Sequence, residues 1–333
     1  MKSVRVNAPS ALEITEIPEP DGTNRVVVRS QTVGICGTDV KVFTGKIPVD
    51  YPRVMGHEMV GEVISAPPGI HVTVGDRVLV DPGSSCGLCH LCRRGKGHLC
   101  VNAGLMGREV DGVFAEIVAV PARQVLPVPE NISSTAAGVL QVLGTCIHAQ
   151  RSFQVFPGQT AAVIGLGVAG QLMTQLLKQR GIDVIGITRS EWKRELAERN
   201  GAMATAPPDE AQLLIDRHTD GRGADIVVEA VGQERTLAQA IDLAATAGTV
   251  IVFGTLTGGE EGLPYYQLYF KELDILNPRA ALPDDYARGI ELAAAGRLEL
   301  ESIVTHQLTL DDASEAFELV HDPSSLKVLM HVG

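Results

Sequence analysis

The stretch Ala161-Ala162-Val163-Ile164-Gly165-Leu166-Gly167-Val168-Ala169-Gly170 decides the fold of the second half of this chain. An apolar run enters a G-x-G-x-x-G pattern, and the sequence after it, 171–181, has helical spacing. Glycine at these positions lets the backbone turn tightly and approach a pyrophosphate, whose charge is favoured at a helix N-terminus. Alone, the pattern also fits an incidental glycine-rich turn. The strand before it and the helix after it favour binding. Gly165, Leu166, Gly167, Val168, Ala169 and Gly170 are therefore the candidate dinucleotide contacts.

Working outward, strand and helix alternate: a strand at 183–189, a helix at 190–202, then strands at 224–232, 248–255 and 272–277. Alternation with apolar strands predicts a doubly wound parallel sheet of the Rossmann type covered by helices. An acid at the end of the second strand would accept from the adenosine ribose and repel a 2′-phosphate. The chain instead reads Gly186-Ile187-Thr188-Arg189-Ser190, with Lys193 one turn on. Hydroxyls with a guanidinium suit a phosphate, so NADP(H) is expected over NAD(H). The alternative is that Arg189 stacks on adenine and NAD(H) binds. Val231, Gly254 and Thr255, at the ends of the fourth and fifth strands, are expected to line the nicotinamide crevice.

The chain has 333 residues, which suggests about two domains at roughly 150 residues each. Apolar residues make up 45% and charged residues 20%, a globular balance that argues against disorder. The net charge of −12 argues against a nucleic-acid partner. The longest apolar runs are glycine-interrupted, and no membrane span is expected. The first residues, MKSVRVNAPSALEI, lack the apolar core of a signal peptide, so a cytoplasmic location is expected. The first ~145 residues carry short alternating runs at 25–33, 58–65, 77–80 and 114–120 between Gly and Pro, which predicts a small, partly closed barrel. The tail reads as a helix at 284–295, a strand at 303–308, a short helix at 313–320 and a strand at 327–332.

Four of the six cysteines stand as Cys86-x2-Cys89-x2-Cys92-x7-Cys100. In a reducing compartment such a cluster points to metal rather than disulfides. Four soft ligands with no open position suit a tetrahedral structural Zn²⁺. Free or oxidised thiols and an iron–sulfur cluster are the alternatives. His90 and His98 lie within the loop and are expected to be solvated.

A second group is Cys36-Gly37-Thr38-Asp39 with Gly56-His57-Glu58 twenty residues on. Each alone is weak: a lone Cys is more often a small buried hydrophobe. Together with Gly61, Gly75-Asp76-Arg77-Val78 and the four-cysteine lobe, they resemble the zinc-dependent medium-chain alcohol and polyol dehydrogenases, in order and over essentially the whole chain. The resemblance is strongest to the sorbitol, threonine and sugar-acid branch. It implies a GroES-like catalytic domain over 1–147 and 278–333, with a structural zinc lobe at about 84–102, and a Rossmann domain over 148–277. It implies two Zn²⁺ per chain. Cys36 and His57 would hold the catalytic one, with Asp39 orienting His57, Glu58 beside the metal, and Thr38 passing on the substrate proton.

Two residues depart from the family pattern. Gln141 stands where most relatives carry a Cys, Glu or Asp, a place at which some sugar dehydrogenases of the family also carry Gln. It would give a weaker site in which Glu58 or water takes more of the coordination. Lys41 stands where many relatives carry a relay His, and is either the outer end of the proton path or a solvated lysine. Phe43, Tyr51 and Pro82 are candidate substrate walls. Arg279 is either a substrate cation or a structural ion pair. The expected activity is hydride transfer between NADP(H) and a secondary alcohol or ketone, such as a polyol, sugar or sugar derivative, in a homodimer or homotetramer. A zinc-free quinone or enone reductase and a non-catalytic dinucleotide-binding relative are the alternatives.

Overall fold

The computed structural model describes residues 1–255 and 271–333. Two compact units emerge: residues 1–144, 280–296 and 300–333 form one, and residues 145–279 with 297–299 form the other.

In the second unit six strands run parallel. From one edge the order is Ala204–Ala206, Asp183–Ile187, Thr160–Ile164, Ala224–Glu229, Ala244–Val252 and Asp274–Leu276. In chain order this is 3-2-1-4-5-6, the doubly wound arrangement. All five residues of Thr160–Ile164 are buried, as expected of a central strand covered on both faces. Ile164, Ile187, Val227 and Val250 pack with Leu237 and Ile241 of the helix Glu234–Leu243. The expected strand at 183–189 stops at Ile187, and Thr188 hydrogen-bonds to Ala206 beyond it. Arg189 and Ser190 then leave the sheet at its C-terminal end, ahead of the helix Glu191–Arg199.

In the first unit the strand Val26–Gly34 organises a seven-stranded sheet. Along one side it pairs with Glu58–Ser65; on the other it meets Ile117–Val120 with its first half and Lys327–His331 with its last three residues. Its burial alternates at first and becomes continuous at the end, where neighbours close over both faces. The expected run 114–120 pairs with this strand only from Ile117 onward. Phe114 instead bonds to Met55 and Val4 and drives its ring into the core, edge-on to Phe317 with centroids 6.3 Å apart.

Gly56 shows why that geometry matters. Its φ is +91°, and an added Cβ would lie 2.1 Å from Phe114 Cδ1. Only glycine permits both the left-handed turn and the ring beneath it. We expect Gly56→Ala to cost on the order of 3 kcal/mol, through backbone strain and overpacking together. Gly37→Ala, with nothing within 4 Å of the new carbon, should stay within about 0.5 kcal/mol. Urea unfolding midpoints at unchanged slope check both values.

Candidate active site

The sheet of the first unit gathers three strand ends. Gly34, the last residue of the organising strand, pairs with Glu58 on one side and Leu329 on the other. Two residues later Cys36 precedes the short helix Gly37–Phe43. His57 leaves the Gly56 turn one residue before its strand begins. Cys36, His57 and Glu58 thus converge from two segments, with their ligand atoms all within 4.8 Å of one another.

Asp39 fixes this convergence. Its Oδ2 accepts from the Cys36 backbone N–H at 2.9 Å, and its Oδ1 lies 3.2 Å from His57 Nδ1. With Nδ1 so engaged, Nε2 is the ring nitrogen left for a metal. Burial works against a charged His57, but the charge of Asp39, with that of Cys36, outweighs it and raises the imidazole well above its ordinary pKa. A dense negative field around a buried imidazole suits a cation. A thiol, an imidazole and a carboxylate on one spot form a donor set that Zn²⁺ accepts.

Gln141 begins its contacts from the first turn of the helix Leu140–Gln150, where it is buried. Its Nε2 donates to the Tyr286 hydroxyl at 3.4 Å. Tyr286 is buried, and burial, then the charge of Asp81, with Asp285 and Glu58 further contributors, pushes its phenol well above the usual range. Asp81 is itself pushed up to about 6 by burial. Gln141, Tyr286, Asp81 and Glu58 therefore share one buried neighbourhood. Tyr286 and Asp81 escaped sequence reasoning because neither stands in a motif.

Thr38 and Lys41 sit half-buried on the helix that Cys36 precedes. Phe43 faces the core, 5.4 Å from Phe317 between ring centroids. Tyr51 packs on the same core, yet its buried hydroxyl has no hydrogen-bond partner among the described residues. Pro82 is buried, and its carbonyl accepts from Met106. Arg279 is exposed, three residues past the sixth strand of the parallel sheet.

The four-cysteine lobe closes on itself. Sulfur separations of 3.5 Å (Cys89–Cys92), 3.8 Å (Cys89–Cys100) and 3.5 Å (Cys86–Cys100) exclude disulfides. They fit the ~3.8 Å edge of a tetrahedron with Zn–S bonds of about 2.3 Å. Backbone N–H groups of Cys86, Cys89, Cys92 and Asn102 point at sulfur. Such donors, those of Cys92 and Val101 first, push the Cys89 thiol down to about 6. Burial and the neighbouring sulfurs push Cys92 up to about 11. A metal must displace that proton to bind all four.

In the parallel-sheet unit, the predicted cofactor residues gather at the C-terminal ends of four strands. Gly165, with φ +92°, donates to the Ile187 carbonyl, and an added Cβ at Gly170 would lie 1.9 Å from the Gly165 oxygen. Leu166, Val168 and Ala169 complete this turn into the helix Val168–Gln179. A Cβ on Gly254 would lie 2.2 Å from Gly232 N, so the loops bearing Val231 and Thr255 pass in close contact. Glu229, fully buried, locks one of them: its Oε1 accepts from Val231 N, Gly232 N and Thr236 Oγ1. At the second strand end Thr188 and Ser190 are half-buried and Arg189 is exposed. Arg194 donates to the carbonyls of Thr188 and Arg189 and so shapes that loop. Partial burial lowers the pKa of Lys193, whose ammonium lies 5.1 Å from the Trp192 ring centroid. Glu229 and Arg194 work through backbone loops, which no side-chain pattern reveals. Among the described residues, no helix is long and apolar enough to cross a membrane.

Known proteins match both units. Residues 22–130 fit the model of the alcohol dehydrogenase GroES-like domain, and residues 168–295 that of the zinc-binding dehydrogenases. The chain is 32% identical over 325 residues to an L-threonine 3-dehydrogenase of Pyrococcus abyssi, covering 94% of this chain and 92% of that one. It is 28% identical over 324 residues to a sorbitol dehydrogenase of Halalkalibacterium halodurans, covering 95% and 94%. A zinc-binding dehydrogenase from Sinorhizobium meliloti, solved with NADP bound, superposes with a TM-score of 0.90 at 32% identity, covering 99% of this chain and 98% of that one. A cysteine–histidine–glutamate centre, a four-sulfur lobe and a doubly wound sheet thus coincide with matches along nearly the whole length, and the chain belongs to the zinc-dependent medium-chain alcohol dehydrogenases.

Proposed function

We propose that this protein interconverts a secondary alcohol and its ketone with NADP(H), on a polyol, sugar or sugar-derived substrate. The convergence of Cys36, His57 and Glu58 around the Asp39 tether carries the reading. Cys36, His57 and Gln141 would hold one zinc, with Glu58 beside it; Cys86, Cys89, Cys92 and Cys100 would hold a second. When bound, the first supplies Lewis acidity that polarises a C–O bond and lowers the pKa of an alcohol.

The chain's own residues do the rest. Asp39 presents His57 in one tautomer. Thr38 accepts a hydrogen bond from the substrate hydroxyl and passes the proton outward to solvent, with Lys41 as an outer relay only in its neutral amine form. A bound nicotinamide would supply the hydride acceptor, so that alcohol and NADP⁺ would become ketone, NADPH and a proton as the hydroxyl proton leaves. The Tyr51 hydroxyl, buried without a partner, suits a substrate hydroxyl. Phe43 and Pro82 supply apolar wall, and Arg279 suits a carboxylate or a hydroxyl-rich chain. Relatives named for threonine and sorbitol support a small polar substrate.

For the cofactor, residues 165–170 would hold the pyrophosphate, and Val231, Gly254 and Thr255 the nicotinamide end. Thr188, Arg189, Ser190 and Lys193 would hold the 2′-phosphate. The NADP-bound relative supports this choice. A cytoplasmic homodimer or homotetramer completes the proposal.

A panel of polyols, sugars and sugar acids, followed at the reduced-nicotinamide absorbance with both cofactors, tests the reaction. Turnover on none of them would sink it. Cys36→Ala and His57→Ala should abolish turnover, lower zinc from two to one per chain, and leave NADPH binding intact by fluorescence titration. Asp39→Asn should weaken metal retention roughly 10- to 100-fold, as loss of an outer-shell partner does. Arg189→Ala should raise the dissociation constant of NADPH roughly 10- to 100-fold, the value of a charge-assisted phosphate contact, while that of NADH moves little.

A further inference from the structure

Lys327 is a buried cation that the reaction above does not use. It opens the third of the converging strands, Lys327–His331, and is only 2% exposed. Its Nζ donates to the Ile35 carbonyl at 3.0 Å, one residue before Cys36, and to Glu58 Oε2 in a short ion pair. The space for this contact comes from Gly34, where a Cβ would lie 2.7 Å from both Glu58 Oε2 and Lys327 Cε. One ammonium thus links the Cys36 turn to the carboxylate from a third strand.

A buried ion pair placed for stability alone has no need to choose this carboxylate. Replacing such pairs by apolar groups is often neutral or stabilising. Here the partner is the carboxylate that has an oxygen within 4.8 Å of the Cys36 and His57 ligand atoms. A dication at that point attracts Glu58 strongly in a low-dielectric surrounding. The ammonium engages Oε2 and opposes the pull. The neutral amide at Gln141 leaves more of the cation's charge uncompensated than an anionic ligand would, so the pull to be opposed is larger in this chain.

We propose that Lys327 is a positioning residue of the metal centre, restraining Glu58 so that its carboxylate stands beside the cation and leaves the remaining coordination position to the alcohol. The inference rests on the zinc centre proposed above. The opposite sign of effect separates it from a structural role: loss of a mere prop loosens the metal, whereas loss of a restraint lets Glu58 bind it.

The test uses the zinc-loaded protein and its Co²⁺-substituted form. In Lys327→Met, release of the more labile zinc to a chelator should slow several-fold. The Co²⁺ visible bands should weaken as coordination number rises, and turnover should fall. Lys327→Arg, which keeps the cation, should retain wild-type release. Unchanged or faster release in Lys327→Met, or unchanged Co²⁺ bands, would overturn the proposal. Should Lys327→Met not fold, Lys327→Met/Glu58→Gln is compared with Glu58→Gln: equal release supports action through Glu58, and unequal release overturns it. Wild-type protein holding one zinc per chain would instead overturn the zinc centre itself, whereas two zincs with an indifferent Lys327→Met would remove only the role of Lys327.

Discussion

The buried carboxylate of Asp39 is the interaction on which the rest of the first unit's site depends. It is 1% exposed, and such a group is costly unless its oxygens are engaged. One oxygen takes the Cys36 backbone N–H and the other faces His57 Nδ1. The same contacts that offset its desolvation hold two distant segments at one point. Losing them would leave a buried charge unpaired and would release Cys36 and His57 together. The position of Asp39 three residues after Cys36, on the first turn of a helix, is what lets one side chain do both.

The parallel-sheet unit solves a similar problem with a different carboxylate. Glu229 ends the fourth strand, and its Oε1 collects two backbone N–H groups and the Thr236 hydroxyl. The loop after the strand is thereby shaped without a glycine-rich signature of its own. The backbone of Gly254 can then pass against Gly232, as only paired glycines allow. In both units a buried acid organises backbone, and the residues expected to touch ligand are presented by it.

Much of this was legible in the chain because it is carried by spacing. The strands, the glycine turn and the four-cysteine lobe each follow from local periodicity or separation, and the parallel sheet follows from alternation of element types, which leaves the strand order to the fold. Cys36, His57, Glu58 and Asp39 could be singled out only as a set, since each alone has a plain structural explanation. Lys327, Tyr286 and Asp81 were not legible. They lie in ordinary strand, helix and loop sequence, and their importance arises from sheet register and helix packing that bring residues far apart in the chain together. Phe43, a candidate wall residue by its place near the motif, packs its ring on Phe317, a contact that local sequence does not show.

Charge balance links these residues to Gln141. Cys36, Asp39 and Glu58 bring three groups able to carry negative charge into one buried patch, and Lys327 brings one positive charge. A divalent cation would bring the sum to zero. An acidic side chain at 141 would add a fourth negative group beside Tyr286, in a neighbourhood where burial already holds Asp81 up to about 6. A neutral amide avoids that cost, because an uncompensated charge in a low-dielectric interior is far more expensive than a weaker neutral ligand. In the proposed zinc centre the neutral amide and the buried lysine would be two parts of one balance: the first would keep the patch from excess negative charge, and the second would set how much of the remaining negative charge reaches the metal.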